Sequence, residues 1–265
     1  MSSVSIRRLV NIVNVGNNTA MSSGGNKQRL DKYLVQNGLI TSRSQAENYI
    51  RLGDVMVNNK VVQKPGAIVS SGDKVTLVAR ERYVSRAGLK LASVADVFGL
   101  DFSDKVVLDI GSSTGGFTDY ALQHGAKKVF AVDVGTEQLH PTLRSHSKII
   151  LHEKTDIRDF YCDQSIDIIV GDVSFISLRD ILPHVAENLM NKDTTLIAMV
   201  KPQFEAGIGQ VHKGVIKNDK IRRQILADFE SWAKDYFVII DKKDSQVSGS
   251  RGNVERFYRL KLARR

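Results

Sequence analysis

Apolar positions between residues 29 and 37 fall at Leu30, Tyr33 and Leu34, the spacing of one helical face. Thr41 and Ser42 offer a cap to a second helix running to about Leu52, and Gly53 closes it. The period then changes. Val55-Met56-Val57 and Val61-Val62 flank an Asn58-Asn59 turn, and the chain passes through Lys64-Pro65-Gly66 to a last short segment after Gly72. This pattern predicts a helix pair on a small twisted sheet. From Lys105 onward, apolar runs alternate with longer helical stretches, the signature of a parallel sheet with crossover helices. The runs predict strands over 106–110, 129–132, 149–151, 166–170 and 195–199. A closing pair over 237–240 and 256–262 is near enough in sequence to run antiparallel. The fold class is therefore α/β: a mostly parallel seven-stranded sheet with helices on both faces, preceded by a small α+β domain.

Length and composition agree with two domains, since 265 residues exceed one compact unit and 42% hydrophobic with 25% charged residues is a globular balance. We place a disordered leader at 1–26, a first domain at 27–82, a linker at 83–89 and a second domain at 90–265. The apolar run after Arg7-Arg8 is broken by Asn11, Asn14, Asn17 and Asn18, so it lacks the core of a signal peptide, and Met21 is an alternative start. Nowhere do apolar residues run to the ~20 that a membrane span needs. The single cysteine, Cys162, allows neither a disulfide within the chain nor a multi-cysteine metal site. The expectation is a cytoplasmic protein with no membrane and no metal. Lys and Arg outnumber Asp and Glu by 38 to 29, a net charge of +9 that suits a polyanionic partner. Arg29, Lys32, Arg43 and Arg51 lie on or beside the first two helices, and Arg82 and Arg86 lie on or beside the linker; all six are candidate RNA contacts. Ordinary solvated charges and a plain hinge fit the same residues.

The stretch from Asp109 through Gly111, Ser112, Gly115, Gly116 and Phe117 is a strand running into a glycine turn and a helix. A dinucleotide site would show G-x-G-x-x-G to cradle pyrophosphate, whereas this turn reads G-x-x-x-G-G beside a carboxylate. S-adenosyl-L-methionine, with a sulfonium cation, an amino-acid end and no phosphate, suits such a turn. Asp133 closes the second strand, where a carboxylate reaches a ribose diol. Asp156, after the third strand, is placed to meet the adenine amino group, and Asp172 ends the fourth. Any one of these acids alone reads more simply as a cap. Together they mark a cofactor crevice in the methyltransferase variant of the doubly wound fold.

Gly171-Asp172-Val173-Ser174-Phe175 lacks the Pro-Pro of amino-nitrogen methylases, and Cys162 lies away from the site that a carbon-five nucleophile would occupy. A ribose hydroxyl instead needs a base and groups that orient the oxygen. Lys201, directly after the fifth strand, is the candidate base, with Lys90 as a cationic neighbour and Asp172 and Glu255 orienting both amines. Each lysine in isolation reads as a surface residue. His212, in the glycine-rich loop 204–217, reads as loop filler ahead of substrate contact, and the loop itself as a mobile lid.

Two resemblances extend this reading. RLDKYLVQNGLITSRSQAENYIRLGDVMVNNKVVQKPGAIVSSGDKVTL resembles the RNA-binding domain of the ribosomal protein S-four type, which implies docking on structured RNA by shape and backbone. Lys90, Asp172, Lys201 and Glu255, with SRAGLKL, DIGSSTGGFTD, GDVSFISL and KPQFEAG, resemble the Lys-Asp-Lys-Glu set of FtsJ-like ribose 2'-O-methyltransferases. From about Lys27 on, the whole chain resembles the TlyA (haemolysin A-like) family. That resemblance implies a Rossmann-like catalytic domain, S-adenosyl-L-methionine as cofactor, ribosomal RNA or ribosomal subunits as partners, and a ribose 2'-hydroxyl, of cytidine, as acceptor. A non-catalytic assembly factor and a membrane-lytic haemolysin are the competing readings. Loss of one of the four site positions would favour the first and an amphipathic or spanning element the second; neither feature is found in the sequence.

Overall fold

The structure, a computed structural model, describes residues 27–40, 43–51, 53–70, 72–77, 83–207, 209, 211, 214–216, 218–247, 249 and 252–263. The leader 1–26, the Thr41-Ser42 cap, Arg82 and His212 lie outside the described residues. The chain divides into two compact units, Met1–Arg82 and Tyr83–Arg265.

In the first unit, β1 (Gln28–Arg29) leads into α1 (Leu30–Gln36) and α2 (Arg43–Arg51), followed by β2 (Val55–Val57), β3 (Lys60–Val61), β4 (Ile68–Val69) and β5 (Val75–Leu77). Strands β3, β2 and β5 form an antiparallel sheet, while β1 pairs with β4. Asn58 and Asn59 both take positive φ, the geometry of a tight two-residue hairpin whose twist matches its strands. Leu30, Leu34, Ala46 and Ile50 from the helices meet Val55, Val69 and Val75 from the strands in one small core.

The second unit starts earlier than the sequence suggested. Residues 83–89, read as a linker, are built into it: Tyr83 packs on Tyr120, the Val84 amide donates to Asp119 at 2.7 Å, and α3 (Arg86–Ala95) begins at Arg86. The amphipathic face of α3 buries Leu91 and Val94, which outweighs the basic, hinge-like look of the segment. Then come β6 (Val106–Ile110), α4 (Gly116–Gln123), β7 (Lys128–Val132), α5 (Pro141–Arg144), β8 (Ile149–His152) and β9 (Ile168–Gly171). They are followed by α6 (Leu182–His184), β10 (Thr195–Val200), α7 (Pro202–Glu205), α8 (Asp219–Ala233), β11 (Phe237–Asp244) and β12 (Arg256–Leu262). The seven strands β6 to β12 lie in the order β11-β12-β10-β9-β6-β7-β8, and β12 runs antiparallel to both its neighbours.

The central strands are buried on both faces, which is why they read as unbroken apolar runs. Leu108, Leu196 and Ala198 face a core shared with α6 and α8; Val107, Ile197 and Met199 face one shared with α3 and α4. From β6 the chain winds outward through β7 to β8, then returns to β9 and winds the other way. The crevice between the carboxyl ends of β6 and β9 is thus the switch point at which such sheets bind ligands.

Candidate active site

Strand β6 delivers Asp109 into the face covered by α4, where it is fully buried. Its Oδ2 accepts from the Thr118 amide at 2.9 Å and from the Thr118 hydroxyl at 2.6 Å, while Oδ1 has no partner among the described residues. Burial pushes its carboxyl up to about 7. Beyond β6 the chain turns through positive φ at Gly111, Ser113 and Gly115. At Gly111 a Cβ would stand 3.1 Å from the Asp172 carbonyl, so the glycine lets the ends of β6 and β9 meet. Asp133 ties down both turns, accepting from the Ser113 amide at 2.8 Å and the Gly135 amide at 2.7 Å.

These strand ends frame a cavity of about 330 Å³ whose walls include Gly111, Asp133, Asp156 and Asp172. Of the other expected cofactor residues, Asp109, Ser112, Gly115 and Gly116 do not line it. Asp109 and Ser112 are buried, each with one side-chain oxygen that has no partner among the described residues, and Gly115 and Gly116 start α4. Phe117 corrects the sequence reading: its position on α4 aims the ring at Phe257, 6.1 Å away in the core. Asp156 reaches the wall but is engaged by Arg158 at 2.6 Å and caps the following turn, and the Arg158 guanidinium holds its carboxyl below the usual range.

A second cavity, of about 530 Å³, shares the Ser174–Phe175 wall with the first. It holds Lys90, Lys201 and Glu255 together with Arg86, Gln203 and Asn253. With Asp172 of the first cavity, the four residues of the resemblance form two separate ion pairs. Lys90 meets Glu255 at 2.6 Å, and Lys201 meets Asp172 at 2.6 Å. Lys201 also donates to the Ser174 hydroxyl at 2.7 Å. Each amine has its own carboxylate, where the sequence had suggested one shared set.

Three further side chains that shape the site escaped the sequence reading. Ser174 stood in the sequence only as part of the stretch 171–175, with no role assigned. Asn253 accepts from the Ile216 amide and donates to the Gly214 carbonyl, fastening part of the loop expected to be a lid against the segment that carries Glu255. Glu205 of α7 accepts from the Ser177 hydroxyl at 2.6 Å and the Leu178 amide at 2.7 Å, anchoring the loop after Asp172.

In the first unit, Arg29 and Arg43 both bind the buried carboxylate of Asp31, Arg29 through two bonds of 3.0 and 2.8 Å and Arg43 through one of 2.9 Å. The Arg29 guanidinium, aided by Arg43, holds Asp31 down at about 2 against the opposing effect of burial. Lys32 and Arg51 are exposed, as is Arg86 at the rim of the larger cavity.

Residues 83–262 match the FtsJ-like methyltransferase family and residues 28–75 the S4 domain. The 23S rRNA (cytidine-2'-O)-methyltransferase TlyA of Campylobacter jejuni is 44% identical over 72% of this chain and 75% of its own. Hemolysin A of Brachyspira hyodysenteriae is 40% identical over 86% of this chain and 97% of its own. A hemolysin candidate of known structure from Streptococcus thermophilus aligns over 89% of both chains at 37% identity, with a TM-score of 0.68. Among the described residues no helix is long and apolar enough to cross a membrane. With a switch-point crevice, two lysine–carboxylate pairs and these matches, the chain belongs to the FtsJ-like methyltransferase family, in the TlyA group that sets an S4 domain ahead of the catalytic one.

Proposed function

We propose that the protein methylates the ribose 2'-hydroxyl of a cytidine in ribosomal RNA, using S-adenosyl-L-methionine held in the 330 Å³ cavity. The observation that carries this reading is the Lys201–Asp172 pair, whose carboxylate lines the cofactor cavity while its amine lines the adjoining cleft. The cofactor cavity fits its ligand chemically. Its wall carries the carboxylates of Asp133, Asp156 and Asp172 beside the glycine turn at Gly111, donors and acceptors suited to a cationic, hydroxyl-bearing ligand. Asp133 and Asp156 would hold the ribose and adenine ends. Bound there, S-adenosyl-L-methionine would supply an electrophilic sulfonium methyl group to the ribose oxygen, with the neutral thioether as leaving group.

The chain's own residues handle the acceptor. Lys201 takes the hydroxyl proton, with Asp172 fixing the amine. Lys90, held by Glu255, is a positioned positive charge facing the oxygen as it becomes negative. Arg29, Lys32, Arg43, Arg51, Arg82 and Arg86 would meet RNA phosphates.

The test is transfer of labelled methyl to assembled subunits and to naked ribosomal RNA, followed by mapping of the ribose-methyl stop. Wild type should label one cytidine, and Lys201→Ala should lower the rate by about 100-fold or more with RNA binding retained. Tight RNA binding with no transfer by the wild-type protein would overturn the reading in favour of a non-catalytic assembly factor.

A further inference from the structure

The amine of Lys201 donates one directed hydrogen bond, to Ser174 Oγ at 2.7 Å, while Asp172 Oδ1 stands at 2.6 Å as an ion-pair contact that is not a hydrogen bond. The ion pair keeps the amine close without setting its direction; the Ser174 hydroxyl supplies the direction. We propose that Ser174 is a positioning residue which, through that hydrogen bond, fixes where the Lys201 amine points at the junction of the two cavities. This inference rests on the ribose-methylation reading.

Three features show that the contact is built into the site. Ser174 lies on the wall shared by the two cavities, so its hydroxyl meets Lys201 where the methyl donor and acceptor would meet. Phe175, the next residue, takes φ of +68°, a left-handed conformation that costs a non-glycine residue about 1 kcal/mol or more and turns the backbone sharply just after Ser174. Downstream, Glu205 grips Ser177 and Leu178, and Glu205 belongs to α7, which begins one residue after Lys201. The loop that carries Ser174 is therefore fastened to the helix that follows its partner, and the two cannot drift apart independently. The second serine of the loop, Ser177, serves structure instead, since its hydroxyl also accepts from the Arg179 amide at the start of a short helical turn.

Removing the Ser174 hydroxyl takes away that directed bond and leaves the amine held by the ion pair alone, so its orientation is no longer fixed. Misdirection of a reacting group on this scale costs roughly 10- to 100-fold in rate. The experiment compares wild type, Ser174→Ala and Ser174→Thr in methyl transfer to ribosomal RNA, with S-adenosyl-L-methionine affinity measured by calorimetry. Ser174→Ala should lower kcat roughly 10-fold or more, leave KM for RNA and cofactor affinity within about twofold, and melt with wild type because Ser174 is exposed. Ser174→Thr, which keeps the hydroxyl, should restore most of kcat. A loss carried by KM, a loss that threonine fails to rescue, or no loss at all would overturn the role of Ser174 and leave the methylation reading standing. A wild-type protein that transfers no methyl would overturn both.

Discussion

At the scale of single residues, the most unusual group in the catalytic unit is Asp109, a carboxylate sealed under α4 with one oxygen unpartnered among the described residues. Burial raises its folded value from 3.8 to about 7, so the folded protein keeps a proton that the unfolded chain has lost. Folding is then most favourable below about pH 4, and this contribution drains away as the pH rises to about 7, where a bare charge must be buried. Asp109→Asn removes that dependence while its amide oxygen can still accept from Thr118. Relative to wild type, the asparagine variant should gain on the order of 3 kcal/mol between pH 5 and pH 8. Thermal melts of both proteins without cofactor at the two pH values check it, and a constant difference would mean that the carboxylate is already ionised in the fold. Asp31 shows the opposite sign. Held down at about 2 by Arg29 and Arg43, it stabilises the first unit at neutral pH, and that support is lost as the pH falls from about 4 toward 2.

At the scale of elements, α3 and α4 approach so closely that only glycine fits at their crossing. A Cβ on Gly88 would fall 2.5 Å from Tyr83 Cβ and 2.8 Å from the Gly116 carbonyl, and backbone cannot swing aside as a long side chain can. Gly88→Ala should force the helices apart at a cost of about 1–3 kcal/mol. Because α3 carries Lys90, activity should fall together with a melting temperature lower by roughly 2–10 °C. An unchanged melt would show that α3 shifts freely on the sheet. How far such elements were legible in the sequence depended on what stabilises them. Strands 106–110 and 256–262 were placed correctly because burial dictates their residues on its own. The charged end of β11 was missed: Lys242, Lys243 and Asp244 form strand only because β12 pairs with them and Arg222 and Arg256 bind Asp244. The four ionic residues of the site were legible as a set, but their pairing was not, since spacing along the chain does not tell which carboxylate reaches which amine. Phe117 misled for a related reason. Next to a glycine turn it looks like a ligand contact, and only its phase on α4 shows that it points into the core.

For the whole molecule, the distribution of charge separates binding from chemistry. Residues 27–82 hold ten Lys and Arg against five Asp and Glu, so more than half of the net +9 sits in the smaller unit. The counterion release that drives RNA binding should therefore come chiefly from that unit, whereas the ionic side chains of the catalytic cleft are largely consumed in its two internal pairs. Lys32 and Arg51 are exposed on the helices of the first unit, so replacing them costs little stability. Lys32→Ala with Arg51→Ala should raise KM for ribosomal RNA by about fivefold for each phosphate left without its cation, and reduce the slope of log affinity against log salt by about one for each. The maximal rate of methyl transfer should hardly change, because neither residue belongs to the cleft. Lys201→Ala should do the reverse, and combining it with the double variant should give effects that add, as expected for sites with no shared partner. Filter binding across a salt series, run beside methyl-transfer kinetics on the same proteins, measures both quantities. A fall in kcat from the first-unit variants would mean that this unit sets the geometry of transfer as well as the affinity, and binding and chemistry would then not be divided between the two units.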